Sequence, residues 1–208
     1  NTSILKITDN GCVNINNNDE WAGTISLAGG TLNYGMRAKG HAGSNGTLNA
    51  TNGNLNLLNG SYMDIGYRSK IEKAVAVDIQ RGATINIKNN GELNLDSNDT
   101  WAGLISNETF GILKTDNVDN SAFGGQLQQN RGTSIFDNKS NIYINGKDSY
   151  ICDGTVDILN GSTLHIGTGV TDVRFFARNL GMSADSTLGA MNNTLNKYKI
   201  TNDMTVNG

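Results

Sequence analysis

Carboxylates standing beside tryptophans are the first side chains in this sequence with chemistry to offer. Asp19 and Glu20 precede Trp21, Asp96 and Asp99 precede Trp101, and Asp64, Asp78 and Asp157 lie in or beside alternating apolar stretches. Two carboxyl groups about 5 to 9 Å apart can cleave a glycosidic bond, one protonating the leaving oxygen and the other serving as nucleophile or base. Nothing in the spacing makes any two of these converge. Asp19 and Asp99 occupy matching places in a repeated phrase. A short carboxylate in a turn most simply accepts hydrogen bonds from neighbouring backbone N–H groups, and that is the role expected of both. No catalytic residue is assigned, and the chain is not expected to be an enzyme.

His41 sits in a Gly-rich turn and His165 between Leu164 and Ile166. Neither has a partner at metal-ligand spacing, so both are expected to be solvated surface residues. The Gly-Gly-x-Gly-x-Asp phrase of calcium-binding β-rolls does not occur. No metal or other cofactor is expected. Trp21 and Trp101 have faces that could stack on a sugar ring if exposed, but each is followed by Ala-Gly in the repeated phrase, which favours packing.

Whatever positions these groups must be built from an unusual composition. Hydrophobic residues make up 37%, aromatic residues 6% and charged residues 17% of 208, too few large side chains for a thick globular core. Asparagine fills the gap: 32 Asn outnumber even the 26 Gly, and both tolerate the left-handed backbone that tight turns demand. There is no Pro, as expected where nearly every strand must donate its N–H to a neighbour. With a net charge of −3 and no basic cluster longer than two or three residues, nucleic acid is not expected as a partner. No apolar run approaches the roughly 18 residues that span a bilayer. Asn1 to Asp9 lack the charged and apolar regions of a signal peptide and there is no initiator Met, so the sequence is expected to be a piece of a longer surface protein.

The main local signal is a phrase of Gly, any residue, apolar, polar, apolar. It appears as Gly11-Cys-Val13-Asn-Ile15, Gly30-Thr-Leu32-Asn-Tyr34, Gly53-Asn-Leu55-Asn-Leu57, Gly91-Glu-Leu93-Asn-Leu95 and Gly154-Thr-Val156-Asp-Ile158. Strict alternation predicts short half-buried strands with the apolar residues inward and Asn outward. Eight Asn-Gly dipeptides punctuate them. Taken alone these predict antiparallel hairpins. However, Gly46, Gly53 and Gly60 fall seven apart, and three such sides make a coil of about 21 residues.

Longer repeats agree with stacking. Gly11 to Ser26 returns in register as Gly91 to Ser106, 80 residues on, or about four coils. Leu55 to Gly66 returns as Val156 to Gly167 at an offset of 101, which asks for an extra coil or a loop insertion. A solenoid explains such returns because each unit buries its apolar face only against its neighbours. The reading is therefore all-β: one right-handed parallel β-helix over residues 1–208, of about ten coils. On such a stack Cys12 and Cys152, 140 residues apart, lie some 30 Å from each other, beyond the roughly 7 Å that a disulfide allows. Two free, largely buried thiols are expected.

Two stretches break the rhythm. Residues 67–72 are expected as a loop or short helix, and residues 116–131 are the longest poorly patterned segment. Loops on a rigid scaffold usually carry recognition, so Gln126, Gln128 and Arg131 join Trp21 and Trp101 as candidate partner-binding residues.

The repeated Asp-x-Trp-Ala-Gly-x-Ile-Ser, the Gly29 to Tyr34 segment and the Gly-Thr-Leu-Asn phrases resemble the passenger regions of bacterial autotransporters and related β-helical surface proteins. That resemblance implies a right-handed β-helix, export through the outer membrane to the cell surface or beyond, and adhesion or self-association as the task. A host or bacterial surface protein or glycan, or another copy of the chain, is the implied partner. A serine protease triad, a membrane barrel and the Gly-Gly-Ala-Ile pairs of chlamydial surface proteins are not recognisable, so enzymatic members of that group lend this chain nothing. A polysaccharide-degrading or carbohydrate-binding β-helix is the alternative.

Overall fold

The computed structural model describes residues 4–9, 11–15, 24–34, 39–42, 47–66, 69–122, 124–144, 149–168, 173–191 and 197–207. Among them there is no helix, and every strand pairing is parallel. The chain winds as a β-solenoid whose strands fall into three ladders, so the parallel stack predicted by the alternating phrases is the architecture found.

The first ladder climbs from Ile4–Thr8 through the start of Thr24–Tyr34, the start of Thr47–Leu57, Lys70–Ile71, Glu92–Asp96, Ile112–Asp116, Thr133–Asp137 and Thr155–Ile158 to the second halves of Arg174–Ser183 and Lys197–Asn207. The second contains Cys12–Ile15, the later parts of Thr24–Tyr34 and Thr47–Leu57, Val75–Ile79 and Thr100–Trp101, then Asn141–Ile144, Thr163–Thr168 and Thr187–Met191. The third runs through Lys39–Ala42, Tyr62–Ile65, Thr84–Ile87, Leu104–Asn107, Gln126–Asn130 and Tyr150–Cys152 to the first halves of the two long C-terminal strands.

Partners on neighbouring coils are 19 residues apart at Cys12 and Thr31 and 24 apart at Thr163 and Thr187, so the coil is not a fixed 21. The long repeats acquire a different meaning here. Cys12–Ile15 belongs to the second ladder, but its copy Glu92–Asp96 belongs to the first. Leu55 likewise lies in the second ladder and its copy Val156 in the first. Offsets of 80 and 101 are each about one side short of a whole number of coils, and no extra coil or insertion is needed. The repeating unit is one strand plus one corner, because all three sides present the same requirement: alternate residues inward, backbone paired above and below.

The core is a set of aliphatic columns. Inside the first ladder Leu27, Ala50, Ile71, Leu93 and Leu113 stack in register and are fully buried. Corners are four-residue turns, closed by bonds such as the Ser61 N–H to the Leu58 carbonyl (2.9 Å) and the Ser162 N–H to the Leu159 carbonyl (3.1 Å). Asn160 and Gly161 both take positive φ, 50° and 73°, the pair of values an Asn-Gly turn offers most cheaply. Asn-Gly therefore turns the chain from one side to the next instead of reversing it into a hairpin.

Four expectations are corrected. Cys12 and Cys152 are not joined in a disulfide, as expected, but both are exposed, since each stands next to the inward residue of its strand, Val13 or Ile151. Asn94 is buried and donates to the Ile71 carbonyl at 2.8 Å, so an outward-facing Asn is not always a solvated one. Residues 116–131 belong mostly to the shaft. Asp119 makes a single parallel bridge to Asn141 in place of a strand, and Gln126–Asn130 is an ordinary rung. In 67–72 the described part is shaft as well, with Ser69 buried and Lys70–Ile71 paired on both sides; residues 67 and 68 lie outside the described residues.

The second copy of the Trp-Ala-Gly phrase is a packing element. Trp101 is fully buried, donates its indole N–H to the Gly103 carbonyl at 3.2 Å, and lies against Gly125, where a Cβ would overlap the ring. Gly125→Ala is expected to lower stability by about 1–3 kcal/mol through overpacking, measured by urea denaturation with indole fluorescence. A stability equal to that of the native chain would mean that the ring has room to shift.

Candidate functional site

The solenoid brings three aspartates into register that the sequence leaves 20 and 21 residues apart: Asp96 pairs with Asp116, and Asp116 with Asp137. This is the arrangement most like a catalytic carboxylate set, and its bonds are structural. Asp116 takes Lys73 on one oxygen and the Asn138 amide on the other, which hold its carboxyl below the ordinary range. Asp137 accepts from the Asn160 amide and the Asn138 N–H, and Asp96 from the Asn98 N–H. A glycosidase acid must be protonated near neutrality, and Asp116 is pushed the other way. Asp64 is paired with Lys88 at 2.8 Å and with the Asn86 amide at 2.9 Å.

Asp99 has the turn role read from its place in the repeat; Asp19 lies outside the described residues. The Asp99 carboxylate accepts the Val77 N–H at 2.7 Å, one coil away, and the Asp96 N–H at 2.6 Å. Burial outweighs both bonds and pushes its pKa up to about 7. Among the described residues no group of three or more His, Cys, Asp and Glu has the geometry of a metal site.

The more distinctive surface is the corner between the third and first ladders. Phe110 has φ 61° and Arg131 φ 64°, with Asn90 at 64° and Asp153 at 73° in the same place on the coils to either side. Backbone bonds follow the corner upward, from the Asn90 N–H to the Phe110 carbonyl (3.0 Å) and from the Phe110 N–H to the Arg131 carbonyl (3.4 Å). Phe110 is 66% exposed, the most exposed large hydrophobic side chain among the described residues. Arg131 is exposed, and its guanidinium lies 3.5 Å from the Asp153 carboxylate. Arg178 grips the same carboxylate through Nε and Nη2, each at 2.7 Å, and holds it below the ordinary carboxylate range. The result is a ridge with an aromatic group, two guanidinium groups and one neutralised acid.

A buried polar network fixes this ridge from inside. Asn107 and Gln129 are stacked in register at the end of the third ladder, and both are fully buried. The Asn107 amide donates to the Thr133 carbonyl at 2.8 Å and the Ser134 hydroxyl at 3.1 Å. Ser134 in turn donates to Gln129, whose amide reaches the Thr155 carbonyl at 3.2 Å. Each amide thus ties its own coil to the coil above at the corner. Gly111 and Gly132, following Phe110 and Arg131, leave the room that the Asn107 amide occupies.

Of the candidate residues, Arg131 is on the ridge, and Gln126 and Gln128 project half-exposed from the adjoining third-ladder strand. Trp101 is withdrawn as a partner-binding residue: its ring fills the core. Trp21 lies outside the described residues. Phe110, Asp153 and Arg178 were missed. Phe110-Gly111 and Arg131-Gly132 hold the places that Asn90-Gly91 holds below them, and that alignment was the available signal. His165 does face outward, half-buried and stacked on Tyr143; the His41 backbone is in register with Asp64, its side chain lying outside the described residues.

Comparison with known proteins found no match: no family model, no curated protein and no solved structure is similar to this chain.

Two outcomes are expected. Phe110→Gly removes the cost of an aromatic residue in the left-handed region and raises stability by about 0.5–1 kcal/mol in urea unfolding; a loss of 1 kcal/mol would show that the ring is a packing group. Asp99 binds its proton more tightly folded than unfolded, so its contribution is whole below pH about 4 and is lost as pH rises through about 7. The stability difference between Asp99→Asn and the native chain should therefore shift in favour of the variant across that interval, approaching about 1.4 kcal/mol per pH unit. A difference flat with pH would contradict it.

Proposed function

We propose that this chain is a structural and adhesive module, a stiff β-solenoid shaft displayed at or beyond a bacterial cell surface, that holds a protein partner on the ridge between its third and first ladders. The observation that carries this reading is the conformation of Phe110 and Arg131. Both project from adjacent coils at positive φ, where glycine would be cheaper by about 1–2 kcal/mol. Strain kept at an exposed position points to use of the side chain. Phenylalanine and arginine are also residue types enriched at protein interfaces, the exposed ring giving area and the guanidinium giving oriented donors. The stack below them supplies rigidity, so that little freedom is lost on binding. The bacterial, extracellular setting comes from the resemblance of the repeats to autotransporter passengers, and self-association along or beside the shaft belongs to the same reading.

Fluorescently labelled full chain is expected to bind bacterial or host cells saturably in flow cytometry, with Phe110→Gly combined with Arg131→Gly weakening binding at least tenfold while circular dichroism stays unchanged. Equal binding by the folded double variant would remove the ridge from the function. Release of reducing ends from a polysaccharide panel would replace adhesion by hydrolysis.

A further inference from the structure

The upper part of the second ladder carries a second surface of different chemistry. Outward residues of Asn141–Ile144, Thr163–Thr168 and Thr187–Met191 form two rows in register, Asn141 with Thr163 and Thr187, and Tyr143 with His165 and Gly189. The alternate residues Ile142, Ile144, Leu164 and Ile166 are buried, which sets the direction of both rows. Tyr143 and His165 lie face to face, with ring centroids 4.1 Å apart and planes 23° from parallel.

The third place in the aromatic row is empty of side chain. A Cβ built on Gly189 would meet no atom of the described residues within 4 Å. The stack therefore ends in a step: one face of the imidazole covers the phenol, and the other looks onto a space about one strand spacing tall, roughly 4.8 Å. The step is rigid from below. Asn120, fully buried, accepts the Tyr143 N–H at 2.6 Å and donates to the Tyr143 carbonyl at 3.2 Å, an amide standing in for the missing strand of that coil. Burial also lowers the His165 pKa, which favours the neutral ring.

We propose that the Tyr143–His165 step binds a neutral pyranose unit of a glycan, the sugar ring lying over His165 in the space at Gly189 with its hydroxyls toward Thr163, Thr187 and Asn141. A pyranose has a face of C–H groups and a rim of hydroxyls. The aromatic face, negative above the ring, suits the first. The neighbouring row suits the second: two threonine hydroxyls and one amide, each both donor and acceptor, stand two residues back along the strands, about 7 Å away. The Asn141 row continues downward to Asp119, which accepts from the Asn141 amide at 3.5 Å, so the charge nearest the site is negative and disfavours an acidic sugar. The site is on a different ladder from the Phe110 ridge and stands or falls without it.

The test is a glycan array probed with the full chain, followed by titration calorimetry of the best neutral oligosaccharide. Gly189→Val fills the space with a residue suited to a strand, and His165→Ala removes the platform. Both are expected to weaken binding at least tenfold while thermal unfolding stays near that of the native chain, and Phe110→Gly is expected to leave it unchanged. The ring protons of Tyr143 and His165 should shift on titration. Absence of neutral-glycan binding at millimolar concentration, preference for acidic glycans, or undiminished binding by folded Gly189→Val would each overturn the proposal. Should Gly189→Val fail to fold, undiminished binding by His165→Ala would do so.

Discussion

Every coil of this molecule depends on the coil above and the coil below to satisfy its backbone. A buried peptide group without a partner costs about as much as a lost hydrogen bond, and in a stack of short parallel strands the partner is always on the next rung. The consequences run through the composition. No proline interrupts the 208 residues. Side chains supply the missing amides where a strand is absent, as Asn120 does beneath Tyr143. Sides stay short because the chain must turn before its inward residues exhaust the narrow core.

The corners are where sequence variety is admitted. Many corners use a residue or two with positive φ, whereas the turns Glu72 to Val75 and Asp96 to Asp99 do without one. Asparagine and glycine meet the need at little cost. Phe110 and Arg131 meet it expensively. Their corner is also the one reinforced from inside by Asn107, Gln129 and Ser134, three fully buried polar residues bonded to one another and to the next coil. Removing such a network would leave buried donors unpaired, whereas intact it locks the corner to its neighbour. Rigidity under the ridge and strain on top of it thus come from the same few residues.

Stacking also decides what lies next to what. Residues about 22 positions apart become neighbours at roughly 4.8 Å, so any outward position generates a row. Two of these rows are the corner with Phe110, Arg131, Asp153 and Arg178 and the Tyr143–His165 step. A third, Asp96 with Asp116 and Asp137, looks chemical in outline but is absorbed by Lys73 and asparagine side chains.

By itself the sequence determined the class of fold. Alternation at Leu93 and Leu95, the seven-residue spacing of Gly46, Gly53 and Gly60 and the absence of proline are local properties, and period two with frequent turns admits few architectures. It also contained the turn role of Asp99 and one ridge residue, Arg131. Only the tertiary structure decided the rest, since a solenoid's neighbours are set by coil length, and coil length varies from 19 to 24 residues with each corner. A change of one or two residues per turn moves a residue along its row or onto another side. For that reason the 80-residue repeat lands one ladder away from its copy, Cys152 ends outside, and Phe110 meets Arg131.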